Sequence, residues 1–446
     1  MRRNILTCGI AAAVIVVYFC LEGAFSHSAA RSQDVYDSLK TFSDVLTLVE
    51  TNFVDEVEPK VLIQNAIQGM VSRLDPHSSY MPPDLYKEMQ VETKGSFGGL
   101  GIEITLKDDV LTVVTPIEDS PAFQAGIKTG DKIVKVDNES AKNLTLVDAV
   151  KKMRGKPGTI LQISIMRDGF KEPKSFTLKR EIIKIKSVKF KKLDDQYACL
   201  RIAQFQETAI DEFKKAVKSL RSEMPQLKGI VLDLRGNPGG LLDQAVKISN
   251  EFIDSGLIVS TEGRNENQKI LFQAKADPNT LTCPVVVLVN SGSASAAEIV
   301  AGALQDHNRA IIVGTQTFGK GTVQTIFPLD DGSGLRITTA KYYTPSHRSI
   351  QEKGITPDIT VEETLDMFAL TDKKNKSFRE KDLVHNFKNG ETAAEEKNEE
   401  EQGKPEKQRT DLGTTGSAEI DKPMETAVNV LKNWEIFKKS LGKTNL

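Results

Sequence analysis

The chain has 446 residues, of which 39% are hydrophobic and 27% charged, so it can hold several globular domains and is not disordered throughout. Lysine and arginine number 59 against 61 acidic residues, and this balance argues against a dedicated nucleic-acid-binding protein. The four cysteines and five histidines lack paired metal-ligand spacing and a disulfide framework, so neither a metal nor another cofactor is expected.

The N-terminus has the layout of a signal peptide. Arg2 and Arg3 precede an uncharged run over residues 5–21, and small residues at 28–30 offer a cleavage site after Ala30. The sequence therefore predicts export, with residues 1–30 as a signal peptide or, alternatively, an uncleaved N-terminal membrane anchor. Export argues against a nucleotide-driven enzyme, because ATP is scarce outside the cytoplasm.

Hydrophobic periodicity divides the rest of the chain into segments. Residues 34–92 show helical spacing, and residues 95–180 show short alternating strands with two helices. Residues 185–370 alternate strands and helices, which predicts a mostly parallel sheet covered on both faces. The predicted fold class is α/β and multidomain, with a β-rich domain inserted before the core and helical segments at both ends.

The C-terminal part combines a polar run with an amphipathic helix. Residues 387–421 are rich in charge and predict a flexible linker. Residues 422–446 form a helix whose apolar face includes Ala427, Val430, Leu431, Trp434 and Phe437. An isolated helix cannot bury such a face, so we expect it to dock on a partner subunit rather than on the core of its own chain.

A Gly/Ser turn follows the apolar strand at residues 285–289 and opens a helix at Ser295. A serine in this place has free N–H groups and the positive end of a helix beside it, which suits a nucleophile and its developing oxyanion. Ser295 and Glu298 also match a capping box, which needs no catalysis, and both interpretations stay open on local sequence.

Lys320 lies in a glycine-rich segment that nearly matches a phosphate-binding loop. Gly321 stands where that loop needs a hydroxyl, and the residues after it predict a strand instead of a helix, so nucleotide binding is not supported. A lysine held among close backbone groups loses hydration, which lowers its pKa toward that of a general base. An ordinary surface lysine is the alternative.

A third segment, residues 233–240, follows another apolar strand. Its glycines permit unusual turns and can present backbone N–H groups, whereas Pro238 offers no nucleophile. An ordinary turn between a strand and a helix is the alternative.

Together the segments 233–240, 292–298 and 318–324 resemble the signature blocks of the carboxyl-terminal processing peptidases, also called tail-specific proteases. Residues 74–80 and 354–358 extend the resemblance, which covers about residues 34–365. These are PDZ-bearing serine endopeptidases, so the resemblance implies a crotonase-like βα core with an inserted PDZ domain. It also implies a set of site residues: Ser295 as nucleophile, Lys320 as base, Gln324 as orienting residue, and the N–H groups of Gly240 and Ala296 as oxyanion hole.

The PDZ resemblance implies a groove that binds the carboxylate of a protein C-terminus and receives the peptide as an added strand. The residues expected to line it are Gly99, Leu100, Gly101, Ile102, Leu146 and Val150. An apolar groove favours an apolar C-terminal side chain.

The sequence thus predicts an exported protease of the bacterial periplasm or cell envelope that acts on proteins with free C-termini. Apolar faces outside the two domains favour a homo-oligomer, most simply a dimer, and an activator protein is a further expected partner. Two alternatives come from other classes: an inactive scaffold that binds C-termini, and an acyl-transfer enzyme that holds a thioester oxyanion.

Overall fold

The computed structural model describes residues 34–107, 110–362, 378–383 and 421–441. The predicted signal segment and all of the predicted linker except Asp421 lie outside these residues. Within the described ranges, no helix has the length and apolar character needed to cross a membrane. The chain divides into two compact units, with the boundary between Arg73 and Leu74.

The first unit contributes two described helices, α1 over residues 34–52 and α2 (Pro59–Ser72). Several large apolar side chains of α1 are 45–61% exposed, namely Val35, Leu39, Phe42, Val45 and Leu48. A helix that leaves an apolar face uncovered needs another surface to bury it.

The second unit begins with strand β1 (Ser79–Met81) and helix α3 (Pro83–Lys94). The helical prediction for residues 34–92 is therefore wrong at residues 79–81. The carboxylate of Asp75 accepts the N–H groups of His77 and Ser78 at 2.8 Å, which forms a turn. Strand β1 then pairs with a strand far along the chain, over Gly334–Tyr343. Local periodicity cannot reveal such a contact.

A β-rich domain follows, as expected. Its elements are β2 (Ser96–Gly99), β3 (Ile102–Lys107), β4 (Val110–Pro116), α4 (Pro121–Gln124), β5 (Lys132–Val136), β6 (Glu139–Ser140), α5 (Leu146–Met153), β7 (Ile160–Met166), β8 (Lys174–Lys179) and β9 (Glu181–Lys184). The main sheet has the order β3-β4-β5-β7-β8 and is antiparallel, while β2 pairs with β9. The domain encloses its own apolar core, which includes Leu100, Ile133, Ala149 and Ile163.

The core domain alternates strands and helices. Its elements are β10 (Val188–Lys192), β11 (Tyr197–Ile202), α6 (Ala209–Glu223), β12 (Gly229–Asp233), α7 (Leu242–Asn250), β13 (Leu257–Gly263), β14 (Ile270–Gln273), β15 (Val285–Val289), α8 (Ala296–Asp306), β16 (Ile311–Gly314), β17 (Thr322–Pro328), β18 (Gly334–Tyr343) and β19 (Ile359–Thr360).

Its central sheet has the order β10-β11-β12-β15-β16-β19, with every neighbouring pair parallel except β10 and β11. Strands β12 and β15 are buried along their whole length, because helices cover both faces of the sheet. A second sheet joins β17, β18, β13, β14 and β1. The segment that joins β16 to β17 passes the end of β15, where the N–H of Thr315 donates to the carbonyl of Val289 at 3.2 Å and the N–H of Phe318 donates to the carbonyl of Ser293 at 3.0 Å.

The C-terminal segment forms two helices, α9 (Lys422–Lys432) and α10 (Trp434–Leu441). The expectation that its apolar face docks on a partner subunit is wrong for α9. Ala427, Val430 and Leu431 are buried against the face of the central sheet opposite to α6, α7 and α8. Both carboxylate oxygens of Asp421 also accept from Arg235 at 2.9 Å, which fixes the start of α9 beside the end of β12.

Candidate active site

Ser295 stands at the sharp turn between β15 and α8. Its backbone has φ 53° and ψ −114°, outside the usual regions for a residue with a side chain. A Cβ atom added to Gly239 would lie 2.8 Å from the Cβ of Ser295, so only glycine allows the turn after β12 to approach so closely. The strained turn presents Ser295 at the N-terminus of α8.

Glu298 links the Ser295 turn to the Lys320 segment. Its Oε2 accepts the N–H of Ser295 at 2.8 Å and the N–H of Lys320 at 3.0 Å. Its Oε1 accepts the Thr317 hydroxyl at 2.5 Å and the N–H of Gly319 at 2.7 Å. The capping contact expected from the sequence is formed, and the same carboxylate holds the segment that carries the candidate base.

Burial shifts the pKa values of both ionisable groups at this point, Glu298 and Lys320. Complete burial raises the pKa of Glu298 to about 7, although its four hydrogen-bond donors favour the charged form. Burial, with the positive charge of Arg336 as a smaller cause, lowers the pKa of Lys320 to about 8. A lysine with this pKa supplies a useful fraction of neutral amine near neutral pH.

The N–H groups of Gly240 and Ala296, expected from the sequence to form an oxyanion hole, belong to the two turns that meet at Ser295. Gly240, with φ 139°, packs so tightly that a Cβ would lie 2.3 Å from the carbonyl oxygen of Phe205. Ala296 is the first residue of α8. Within the part of the chain that the structure describes, neither the Gly240 N–H nor the Ala296 N–H has a hydrogen-bond acceptor. Both are therefore available to an oxyanion.

Buried side chains lock the two turns together. The Asn237 amide donates to the carbonyl of Ile202 at 2.8 Å, and its Oδ1 accepts the N–H of Gly239 at 2.9 Å. The Ser293 hydroxyl donates to the carbonyl of Leu234 at 2.8 Å. The Ser293 contact, with the N–H of Ala294 that donates to the carbonyl of Asn237 at 2.9 Å, holds residues 233–240 against residues 290–296.

Gln324 lies on β17, four residues after Lys320. Its side-chain amide donates to the hydroxyls of Thr322 at 3.0 Å and Thr338 at 3.3 Å. The Thr338 hydroxyl in turn donates to Asp75, in the turn before β1. Gln324 thus belongs to a polar network that reaches the 74–80 segment.

The predicted PDZ residues come together around one groove. Gly99, Leu100, Gly101 and Ile102 line a cavity of about 220 Å³, and Leu146 and Val150 of α5 line the facing wall. This arrangement suits a peptide that lies between β3 and α5.

Sequence reasoning missed several residues of the site. Asn237 and Ser293 lie inside the segments 233–240 and 292–298, but nothing local distinguishes them from ordinary turn residues. Tyr342 is buried and donates its hydroxyl to the carbonyl of Lys320. Glu380 is also fully buried, yet it lies in a stretch of polar sequence that gives no sign of this.

Comparison with known proteins gives three matching family models. One for peptidase family S41 matches residues 196–361, one for a PDZ domain matches residues 98–179, and one for the activating protease CtpB N-terminal domain matches residues 21–84.

Curated relatives match over most of their length. The chain is 49% identical over 344 residues to the carboxy-terminal-processing protease of Bartonella bacilliformis, which covers 77% of this chain and 79% of that protein. It is 37% identical over 337 residues to the carboxy-terminal processing protease CtpA of Bacillus subtilis, which covers 75% of this chain and 71% of that protein. A solved photosystem II D1 C-terminal processing protease is 28% identical, with a TM-score of 0.43 over 72% of this chain and 92% of that one.

Proposed function

The chain belongs to peptidase family S41, the family of the carboxy-terminal-processing proteases, and we propose that it cleaves peptide bonds with a Ser295–Lys320 dyad. The expected family and the expected serine-type peptidase class are confirmed by these relatives. The observation that carries the dyad is the shared carboxylate of Glu298, which binds the main-chain N–H groups of both residues.

In the proposed reaction the neutral amine of Lys320 takes the hydroxyl proton of Ser295 as its oxygen attacks the peptide carbonyl. The oxyanion accepts hydrogen bonds from the N–H groups of Gly240 and Ala296. When the intermediate collapses, the C–N bond breaks and the Lys320 ammonium returns the proton to the leaving amine. A water molecule, deprotonated by Lys320, then hydrolyses the acyl-enzyme and restores Ser295.

Gln324 is part of the same proposal as the residue that orients the dyad. Gln324 lies on β17, the strand that follows Lys320, and it donates hydrogen bonds to Thr322 and Thr338. These contacts support an indirect effect on the loop that carries Lys320. The crotonase-like core is likewise proposed, and the succession of parallel strands and helices from β11 to β16 supports it.

Substrates are proposed to be proteins with free C-termini, bound in the groove between β3 and α5. The glycines at 99 and 101 support close approach of a carboxylate to backbone N–H groups, and the wall from Leu146 and Val150 supports an apolar terminal side chain. Membership of a peptidase family favours hydrolysis over the acyl-transfer alternative.

We further propose export to the bacterial periplasm or cell envelope, where the enzyme processes or degrades envelope proteins. The basic start and uncharged run of the first 30 residues support export, either with cleavage or with retention as a membrane anchor. The uncovered apolar face of α1 supports a homo-oligomer, with a dimer as the simplest form. An activator protein is a further proposed partner.

The function is tested with a reporter protein that ends in an unstructured, apolar C-terminal tail. The purified chain is expected to cleave it, and mass spectrometry of the products locates the cut. Ser295→Ala is the matched inactive control, and a chain that binds the tail without cleaving it would support the scaffold alternative instead.

A further inference from the structure

Glu380 is a buried carboxylate in a short described segment, residues 378–383, beyond the last strand of the core. Its side chain has no solvent exposure. The ring Nε2 of His77 lies 2.8 and 2.9 Å from its two oxygens, and the amide of Gln351 donates to Oε1 at 2.9 Å. Burying a carboxylate is costly unless close polar partners compensate it, and His77 and Gln351 are such partners here.

Further hydrogen bonds connect Glu380 to the chain on both sides of Lys320. The main-chain N–H of Glu380 donates to the carbonyl of Phe318 at 3.2 Å. The side chain of Gln351, which donates to Glu380, also accepts the N–H of Gly321 at 2.9 Å. The residue just after Lys320 and the residue two before it are therefore both connected to Glu380.

We propose that Glu380 is a positioning residue for Lys320, fixing the loop that carries the amine through its buried contacts with Phe318, His77 and Gln351. This inference rests on the proposed role of Lys320 as the general base. Glu298 accepts the N–H groups of Gly319 and Lys320. Glu380 reaches the flanking residues, Phe318 directly and Gly321 through Gln351.

Glu380 also contributes to the charge around the amine. The charged groups that act on Lys320 are Arg336 of β18, Asp75 before β1, Glu298 of α8 and Glu380 itself. Arg336 lowers the pKa of Lys320, and the three carboxylates raise it. Removing the charge of Glu380 should therefore lower the pKa of Lys320, whereas a residue that only fills space would leave it unchanged.

The first experiment measures kcat and KM separately across pH for Glu380→Gln. We expect kcat to fall about tenfold or more, KM to change less than about threefold, and the acidic limb of the pH profile to move to lower pH. Gln351→Met keeps the charge but breaks the link to Gly321, so it should lower kcat without moving that limb.

Two matched controls remove a carboxylate elsewhere. Glu207→Gln changes an exposed residue before α6, and Asp195→Asn changes an exposed residue in the turn between β10 and β11. Neither should alter kcat or the pH profile by more than about twofold. A Glu380→Gln variant that keeps its kcat and its pH limb, or that raises only KM, would overturn the proposal.

A second experiment does not depend on peptidase activity. In the Ser295→Ala chain, the pKa of Lys320 is followed by NMR of ¹³Cε-labelled lysine, with Lys320→Met used for assignment. Glu380→Gln should lower this pKa, and Glu207→Gln should not. The proposed function can fail while this shift is still seen; an unchanged Lys320 pKa in a folded Glu380→Gln chain would refute the role of Glu380 alone.

Discussion

The main-chain nitrogens of Ser295 and Lys320 donate to one oxygen atom, Oε2 of Glu298, at 2.8 and 3.0 Å. The two residues are thereby held beside each other by a third side chain that is completely buried. A buried carboxylate with four donors is a rigid connection, because each donor would be left unpaired if the contact opened.

Replacing either member of the proposed dyad should abolish cleavage without unfolding the protein. Ser295→Ala and Lys320→Ala are each expected to lower kcat by at least about 10³-fold, and the double variant should lose little more, because the pair acts as a unit. Cleavage of a tailed reporter and thermal unfolding are the two measurements. Ser255→Ala, at an exposed serine, is the control; substantial activity in Ser295→Ala would refute the assignment.

The rate should rise with pH through the pKa of Lys320. Only the neutral amine can accept a proton, and burial lowers its pKa to about 8, so the rate should increase about tenfold per pH unit below that value and level off above it. Below about pH 7 the slope should steepen, since protonation of Glu298 disrupts its contacts. A rate independent of pH between 6 and 9 would contradict the role of Lys320.

Glu298→Gln should impair both the site and the fold. An amide offers one acceptor oxygen where the carboxylate offers two, so its NH₂ group would face backbone N–H groups. Leaving a buried donor unpaired costs about 1–3 kcal/mol, so we expect a lower midpoint of thermal unfolding together with a loss of at least about tenfold in kcat. Glu207→Gln is the matched control, and wild-type activity in Glu298→Gln would show that the connection is dispensable.

Substrate choice should depend on a free C-terminus. Amidation of the substrate removes the carboxylate that the loop over Gly99–Ile102 would bind, and Val150→Asp places a charge in the apolar wall of the groove. Both changes should raise KM about tenfold with little effect on kcat, because they act on binding away from the reacting atoms. The amidated and free forms of one peptide provide the comparison, and equal KM values would remove the groove from recognition.

The C-terminal helix should contribute to the stability of the core. Leu431 is 3% exposed and contacts the sheet at Gly229, so Leu431→Ala should lower the free energy of unfolding by about 2–4 kcal/mol. Ile436, on α10, is 69% exposed, and Ile436→Ala should change the free energy of unfolding by less than about 0.5 kcal/mol. Denaturant unfolding measures both; equal, small effects would mean that α9 does not pack on the sheet in solution.

The sequence by itself determined the order of elements in the core and the places where chemistry could lie. The buried strands β12 and β15 are continuous apolar runs, and glycine-rich turns at their carboxyl ends mark Gly240 and Ser295. Lys320 could be separated from a phosphate-binding lysine because Gly321 lacks the hydroxyl that such a loop requires. These features are local, so they can be read without knowledge of the fold.

Only the tertiary structure decided what these local features contact. The spacing of Ser295 and Glu298 indicates a helix cap, but not that the same carboxylate also binds Lys320. The apolar face of α9 is evident from its periodicity, which says nothing about whether its own sheet or a partner covers it. Glu380 and His77 are 303 residues apart, and their contact arises only because the folded core brings both to the Lys320 loop.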